Sequence, residues 1–435
     1  MTDISSTSSL SKPLSLPSGG SLRNRIAKGA MTEGLADEYS RATERHVTLY
    51  RRWAEGGAGM LLTGNVMVDR RYLERPRNVV IDGPQSDEQI DRLKRWSGAA
   101  REVGADIWMQ ISHAGRQTPQ IVTTEPVAPS AIGMGLPGDT FAAPRALTET
   151  EIHEVIGRFA HTASVAKRTG FSGVQIHAAH GYLISEFLSP LVNHREDDWG
   201  GPLENRARLL MQVIKEVRAQ VGSGFPVSVK LNSSDFQKGG FSADDSLQVA
   251  RWLNDAGVDL LEISGGSYEQ PAMMDMDGMD APYEEEKRAS TKAREAYFLS
   301  YAEEIRQVAK MPLMVTGGFR SRAGMEDALA SGACDLCGIA RPLCVNPDVP
   351  NELMRGVIDA APSWEKKFRI GPGILGPNSS IGLIKMLNGF GVMAFFYENI
   401  FRLADGKDTK QKMALLPAFI KYQMQEAKKA KALVR

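Results

Sequence analysis

Eight times along this chain a short apolar run stops at or beside Gly, Thr, Asn or Ser and gives way to a stretch with helical periodicity. The runs cover residues 25–31, 60–65, 106–111, 173–177, 226–231, 260–264, 312–316 and 336–339. Runs of this length, bounded by turn residues, read as buried strands. Between them, residues 43–55, 86–103, 148–169, 205–221, 243–256, 297–310 and 320–331 repeat apolar side chains at helical spacing. Ser86-Asp-Glu and Thr148-Glu-Thr-Glu open two of these as N-caps, the second with the shape of a capping box. A helix between two strands returns the chain to the same end of the sheet, so the strands must run parallel. Eight such units predict an α/β chain closed into a (β/α)8 TIM barrel. A doubly wound open sheet is the alternative, but no G-x-G-x-x-G follows the first strand.

One barrel does not use all 435 residues. Residues 1–21, rich in Ser, Pro and Gly, read as a flexible lead-in with room for a short hairpin. Residues 22–360 hold the barrel. Residues 361–435 read as a C-terminal helical extension that packs by an amphipathic face and ends in a basic, solvated stretch from residue 428. Two insertions follow strand ends: residues 113–147, and residues 267–294 with Met273, Met274, Met276 and Met279 among acids. Long βα loops stand over the active face of a barrel, so both are expected as walls or lids.

The charge balance removes some function classes. Lys+Arg and Asp+Glu are 52 each, so no basic excess points to nucleic acid. No apolar run reaches spanning length, and the nearest, residues 381–403, is broken by Lys385, Asn388, Glu398, Asn399 and Arg402. No signal peptide is visible, and three cysteines are too few for a disulfide framework. These features predict a cytoplasmic protein.

The chemistry gathers at strand ends. Gly173-Val-Gln-Ile-His-Ala-Ala-His-Gly-Tyr182 puts His177, His180 and Tyr182 at the C-terminal end of the fourth strand, where a parallel barrel keeps its reactive groups. A metal site would need a third ligand that the sequence does not offer, and either histidine alone would pass as structural. Two imidazole donors that polarise a carbonyl, with a phenol as proton donor, explain all three residues together. Gly317-Gly318 after the seventh strand, with Ala340-Arg341 after the eighth, suits a phosphate, since glycines permit close backbone approach and Arg341 supplies a planar fork. Gln110 and Lys230 are polar tips on apolar runs, placed to meet the polar edge of a flat heterocycle. Cys334-Asp-Leu-Cys337 has C-x-x-C spacing. On a strand its two sulfurs would face opposite sides, which argues against a redox or metal role.

These residues resemble the old yellow enzyme family of FMN-dependent NAD(P)H:flavin oxidoreductases. The resemblance runs from about residue 22 to 350 and is most specific over 171–208, through Gly200-Gly-Pro-Leu-Glu-Asn-Arg206. Leu22-Arg-Asn-Arg-Ile26, Gln110-Ile-Ser-His-Ala-Gly-Arg116, Val315-Thr-Gly-Gly318 and residues 338–342 support it. It implies that Ala30, Met31 and Thr32 line one edge of the flavin, with Thr32 near the C4 carbonyl. Gly64 and Gln110 would touch the ring, and Lys230 would face N1 and O2. Gly317, Gly318, Ala340 and Arg341 would hold the FMN phosphate. His177 and His180 would hold the carbonyl oxygen of an activated alkene, and Tyr182 would protonate its α-carbon. NAD(P)H would be the reductant, the partners small molecules, and a homo-oligomer stays open. The chain departs from the family pattern, which often has Pro at position 30, Arg at 230, Gly at 340 and, in one subgroup, Cys at 32. With no Cys beyond Cys344, the iron–sulfur cluster of some members is not expected. An NADH oxidase with oxygen as acceptor, and a flavin-binding barrel with little turnover, are the alternatives.

Overall fold

The computed structural model describes residues 8–136, 140–269, 296–377 and 379–434. The lid expected over residues 267–294 lies outside them except for its first three residues, and its four methionines with it. All eight expected strands are present: β1 Ile26–Lys28, β2 Met60–Leu62, β3 Asp106–Ser112, β4 Gly173–Ala178, β5 Val227–Asn232, β6 Leu260–Ser264, β7 Leu313–Thr316 and β8 Leu336–Ile339. Each pairs in parallel with the next. β8 returns to β1 through Cys337↔Ile26, so the sheet closes.

The longer helices between the strands are α1 Glu44–Glu55, α2 Asp87–Arg101, α3 Glu149–Arg168, α4 Arg208–Val221, α5 Ala243–Asp255, α6 Leu299–Arg306 and α7 Arg322–Ala330. In α3 the expected capping box forms, with the Thr148 side chain accepting from the Glu151 N–H and the Glu151 carboxylate accepting from the Thr148 N–H. In α4, Leu209, Leu210, Val213, Ile214, Val217 and Val221 make one buried stripe against the sheet.

Strand parity decides what lies inside the barrel. Ala27, Met60, Leu62, Trp108, Leu260, Met314 and Leu336 form one apolar interior cluster. Stepping two residues along each strand turns this lining polar toward the C-terminal end: Gln110, Ser112, Gln175, His177, Lys230, Asn232, Glu262, Ser264 and Thr316. The polar end is therefore a built site.

Two expectations about the chain ends need correction. From Ser8 onward the N-terminal segment is not a flexible lead-in. Leu14–Ser15 pairs antiparallel with Ser21–Leu22, and Leu14, Leu16 and Leu22 join the interior cluster. They plug the end of the barrel where β1 begins, each buried leucine contributing about 1.5–3 kcal/mol. The basic end is not simply solvated either. The extension folds as α8 Gly382–Ala404 and α9 Leu415–Lys431, packed on each other. Lys429 donates to Glu426 Oε1 at 2.9 Å and to the Gly34 carbonyl at 3.2 Å. Aliphatic stems can bury while the ammonium finds acceptors, which a count of charges does not reveal.

Candidate active site

The loop after β4 is held from three sides. His180 has a left-handed backbone, φ 64°, followed by Gly181 at 76°. A side chain in that region costs on the order of 1–3 kcal/mol and persists only when its surroundings fix it. Here Asn232 Oδ1 accepts from the His180 N–H at 3.0 Å, and Gln117 Nε2 donates to the His180 carbonyl at 3.0 Å. The Leu183 N–H also donates to the His113 carbonyl at 3.1 Å.

This turn brings three rings together. The His177 ring centroid lies 5.1 Å from that of His180 and 4.7 Å from that of Tyr182, both edge to face. Burial, then the nearby Lys230 charge, holds both imidazoles well below the usual histidine range, so they are neutral near pH 7. The Ala179 N–H donates to His177 Nδ1 at 3.3 Å, which leaves the His177 proton on Nε2. His180 Nε2 meets Ser264 Oγ at 2.7 Å. Burial, then the Glu74 carboxylate, keeps the Tyr182 phenol well above its ordinary value, so it stays protonated. Its oxygen lies 2.8 Å from that of Tyr268.

Beside the rings, a polar chain crosses four strands. Gln110 Nε2 donates to Gln175 Oε1 at 2.7 Å, and Gln175 Nε2 donates to Glu262 Oε2 at 2.8 Å. Lys230 Nζ then lies 3.1 Å from Glu262 Oε1. Gln110 and Lys230 are thus brought into one network through two residues that the sequence reading missed.

Ala30, Met31 and Thr32 follow β1, and the last two meet Gly64. A Cβ at Gly64 would fall 2.5 Å from the Met31 carbonyl oxygen and 2.6 Å from Thr32 Cα. The Gly64 N–H donates to Glu33 Oε1 at 2.9 Å, and the same carboxylate accepts from Tyr50. Thr32 Oγ1 donates to Glu74 Oε2 at 2.7 Å.

At β7 and β8, Gly317 and Gly318 have φ of 125° and 92°, conformations glycine tolerates. Thr316 Oγ1 beneath them is buried and has no hydrogen-bond partner. A Cβ at Gly338 would sit 2.1 Å from that oxygen. Arg341 Nη1 lies 3.8 Å from Glu365 Oε1, which pairs at 2.7 Å with Arg320. A glycine cradle, an unsatisfied hydroxyl and a guanidinium together fit a phosphate and its alcohol chain.

The cysteine argument needs correction. Cys334 precedes β8, so strand parity does not apply to it, and its sulfur lies 3.9 Å from that of Cys337. Both are buried free thiols. Among the described residues no group of three or more His, Cys, Asp or Glu is placed to hold a metal ion.

A closed parallel barrel with a glycine and guanidinium cradle after its last two strands and a polar floor beside it fits flavin mononucleotide, and the fold and site together point to the class of flavin-dependent oxidoreductases. A model of the NADH:flavin oxidoreductase / NADH oxidase family matches residues 9–359, and the chain belongs to that family, that of the old yellow enzymes. FMN is its cofactor and a nicotinamide dinucleotide its reductant. The chain is 39% identical over 361 residues to the NADH-dependent flavin oxidoreductase iliE of Hypocrea jecorina, covering 79% of this chain and 88% of that one. Among solved structures, a 2-naphthoyl-CoA reductase with 2-naphthoyl-CoA bound is similar with a TM-score of 0.72 at 26% identity, over 81% of this chain and 53% of that one. The old yellow enzyme homologue of Zymomonas mobilis gives 0.68 at 28% identity, over 84% and 97%.

Proposed function

We propose that the chain is an ene reductase: it accepts electrons from NAD(P)H on FMN and passes them to the carbon–carbon double bond of an α,β-unsaturated carbonyl compound. The observation behind this is the triad in which the His177 ring lies 5.1 Å from that of His180 and 4.7 Å from that of Tyr182, two neutral donors and one protonated phenol.

The chain's own residues have separable tasks. Thr316, Gly317, Gly318, Ala340 and Arg341 bind the FMN phosphate end. Ala30, Met31, Thr32 and Gly64 border the ring on one side, and Gln110 and Lys230 meet its pyrimidine edge. When bound, FMN supplies the hydride that reaches the β-carbon of the acceptor. His177 Nε2–H and the His180 ring donate to the carbonyl oxygen. These bonds strengthen as negative charge develops there, so they lower the barrier rather than merely bind substrate. The Tyr182 O–H gives its proton to the α-carbon. Three buried free thiols support a reducing, cytoplasmic setting. Among the described residues no helix is long and apolar enough to cross a membrane.

The test is an anaerobic visible spectrum of the purified protein, reduced with NADPH or NADH and then mixed with 2-cyclohexenone. The flavin band should bleach with the nicotinamide and return with the enone. A band that returns only on admission of air would replace this reading with that of an oxidase.

A further inference from the structure

The match to the family ends at residue 359, so α8 and α9 lie beyond it. They nevertheless reach the mouth of the barrel. Arg45 of α1 donates to Asp405 Oδ1 at 2.7 Å, just after α8. Glu426 of α9 accepts an ion pair from Arg75 at 2.7 Å, with the two side chains 10% and 7% exposed. The Arg75 guanidinium lies over the Tyr397 ring at 4.3 Å and near Tyr422 at 5.6 Å, so both helices grip it. Past α9, the Val434 N–H donates to the Glu38 carbonyl at 2.8 Å.

Every acceptor or partner on the barrel side belongs to a loop of the active face or the helix that follows it. Gly34 and Glu38 lie in the loop after β1, and Arg75 in the loop after β2. Val66–Met67 continues the pairing along β3 opposite Ile111 and Ser112, which holds the second loop over the mouth. Arg75 adjoins Glu74, whose carboxylate holds Thr32. Beyond this ion pair the chain lays Leu433 against a small apolar cluster of Met67, Leu73, Val80, Ala114, Val122 and Tyr182. Leu433 is only half-buried against that cluster.

From this we infer that the C-terminal extension is a wall of the acceptor site, and that Leu433 is a specificity-determining residue that limits the bulk of the alkene bound beside Tyr182. The inference rests on the proposed acceptor site at His177, His180 and Tyr182. Arg75 and Glu426 are positioning residues: they fix where the wall stands and do not touch the reacting atoms. The ligand class follows from the lining. It is a neutral enone whose apolar substituent meets Leu433 while its carbonyl oxygen meets the imidazoles.

The test uses the full-length holoenzyme with Leu433→Ala and Leu433→Trp. Each is reduced chemically with dithionite, so that nicotinamide binding does not enter, and reoxidised anaerobically by 2-cyclohexenone or by the bulkier carvone. The readout is the ratio of second-order rate constants for the two enones. Leu433→Ala should shift it toward carvone and Leu433→Trp toward 2-cyclohexenone, by about tenfold, the scale of a small change in an apolar pocket. Glu426→Gln, which keeps the side-chain volume but removes the charge facing Arg75, should shift the ratio in the same direction as Leu433→Ala. Unchanged ratios in both Leu433 variants, with both enones still consumed, would overturn the wall and leave the acceptor site standing. If the wild-type enzyme reduces neither enone, the acceptor reading fails instead, and the wall is tested by titrating 4-hydroxybenzaldehyde against the flavin spectrum. An affinity identical in wild type and both Leu433 variants would then overturn it.

Discussion

The Tyr182 and Tyr268 hydroxyls share a hydrogen bond of 2.8 Å, joining the loop after β4 to the loop after β6. Tyr268 also reaches the loop after β3 through its N–H, which donates to Gln117 Oε1 at 3.3 Å, and Gln117 in turn holds His180. The phenol proposed as proton donor is therefore oriented by a second phenol.

Tyr182→Phe should slow reoxidation by an enone by about 10²–10⁴, the usual worth of a general acid, and leave flavin reduction by NADH nearly unchanged. Tyr268→Phe removes one hydrogen bond, a net effect of about 0.5–1.5 kcal/mol, and should slow the same half-reaction by up to about tenfold. Anaerobic stopped-flow separates the two halves. Equal slowing of both by Tyr182→Phe would count against its role as donor.

The two imidazoles are judged by ligand binding. His177→Ala combined with His180→Ala should weaken binding of phenolic ligands, read as the loss of the long-wavelength charge-transfer band with FMN. Each charge-assisted hydrogen bond lost is worth about 1.5–3 kcal/mol. Unaltered binding would remove the clamp.

Glu262 sits 3.1 Å from Lys230 and offsets a positive charge that would otherwise stabilise anionic reduced flavin. Glu262→Gln should therefore raise the FMN reduction potential. For a two-electron couple about 30 mV corresponds to about 1.4 kcal/mol, and a rise of at least that size is expected in a dye-equilibrated reductive titration. A fall would mean that Lys230 does not face the ring.

Arg341→Ala should release FMN. Loss of a charge-assisted contact of about 1.5–3 kcal/mol raises the dissociation constant by about 10- to 150-fold. Flavin fluorescence during dialysis measures this directly, and full retention of FMN would move the phosphate elsewhere.

Glu186 gives the stability a pH dependence. Burial pushes its carboxyl up from 4.5 to about 8, although Arg116 lies near and its backbone N–H donates to Oε1 at 2.9 Å. A raised folded-state value means that the contribution is complete below about pH 4.5 and is lost as pH rises through about 8, where the fold must bury an anion. Glu186→Gln does not titrate. Between about pH 5 and 9 the wild-type unfolding free energy should fall relative to that of the variant by on the order of a few kcal/mol, and its Tm should fall with it. Parallel Tm curves would show that Glu186 is already ionised in the fold.

The barrel was legible because its signal is local. Each strand is a buried run closed by a turn residue, and each helix repeats its own apolar face. His177, His180 and Tyr182 were legible for the same reason, lying within six residues of one another. Gln175 and Glu262 were missed although their positions held a signal. Gln175 precedes His177 by two, and Glu262 precedes Ser264 by two, so each shares the inward face with a polar neighbour. Their pairing with Gln110 and Lys230 depends on how four separate strands register, which no single stretch contains. Cys334 misled because strand parity was applied to it although β8 begins at Leu336, two residues later, as expected. The packing of the extension was legible as an amphipathic face, but the periodicity of a helix does not say which surface receives it.

The Val434–Glu38 hydrogen bond ties the last described residue to the first loop of the barrel. During synthesis that loop leaves the ribosome long before Val434 is made, and waits until then for its partner. The sheet cannot close without β8, and the mouth is not completed until α9 and the residues just after it have been made. A nascent or carboxyl-clipped chain would thus present a finished cradle for the cofactor behind an unfinished doorway.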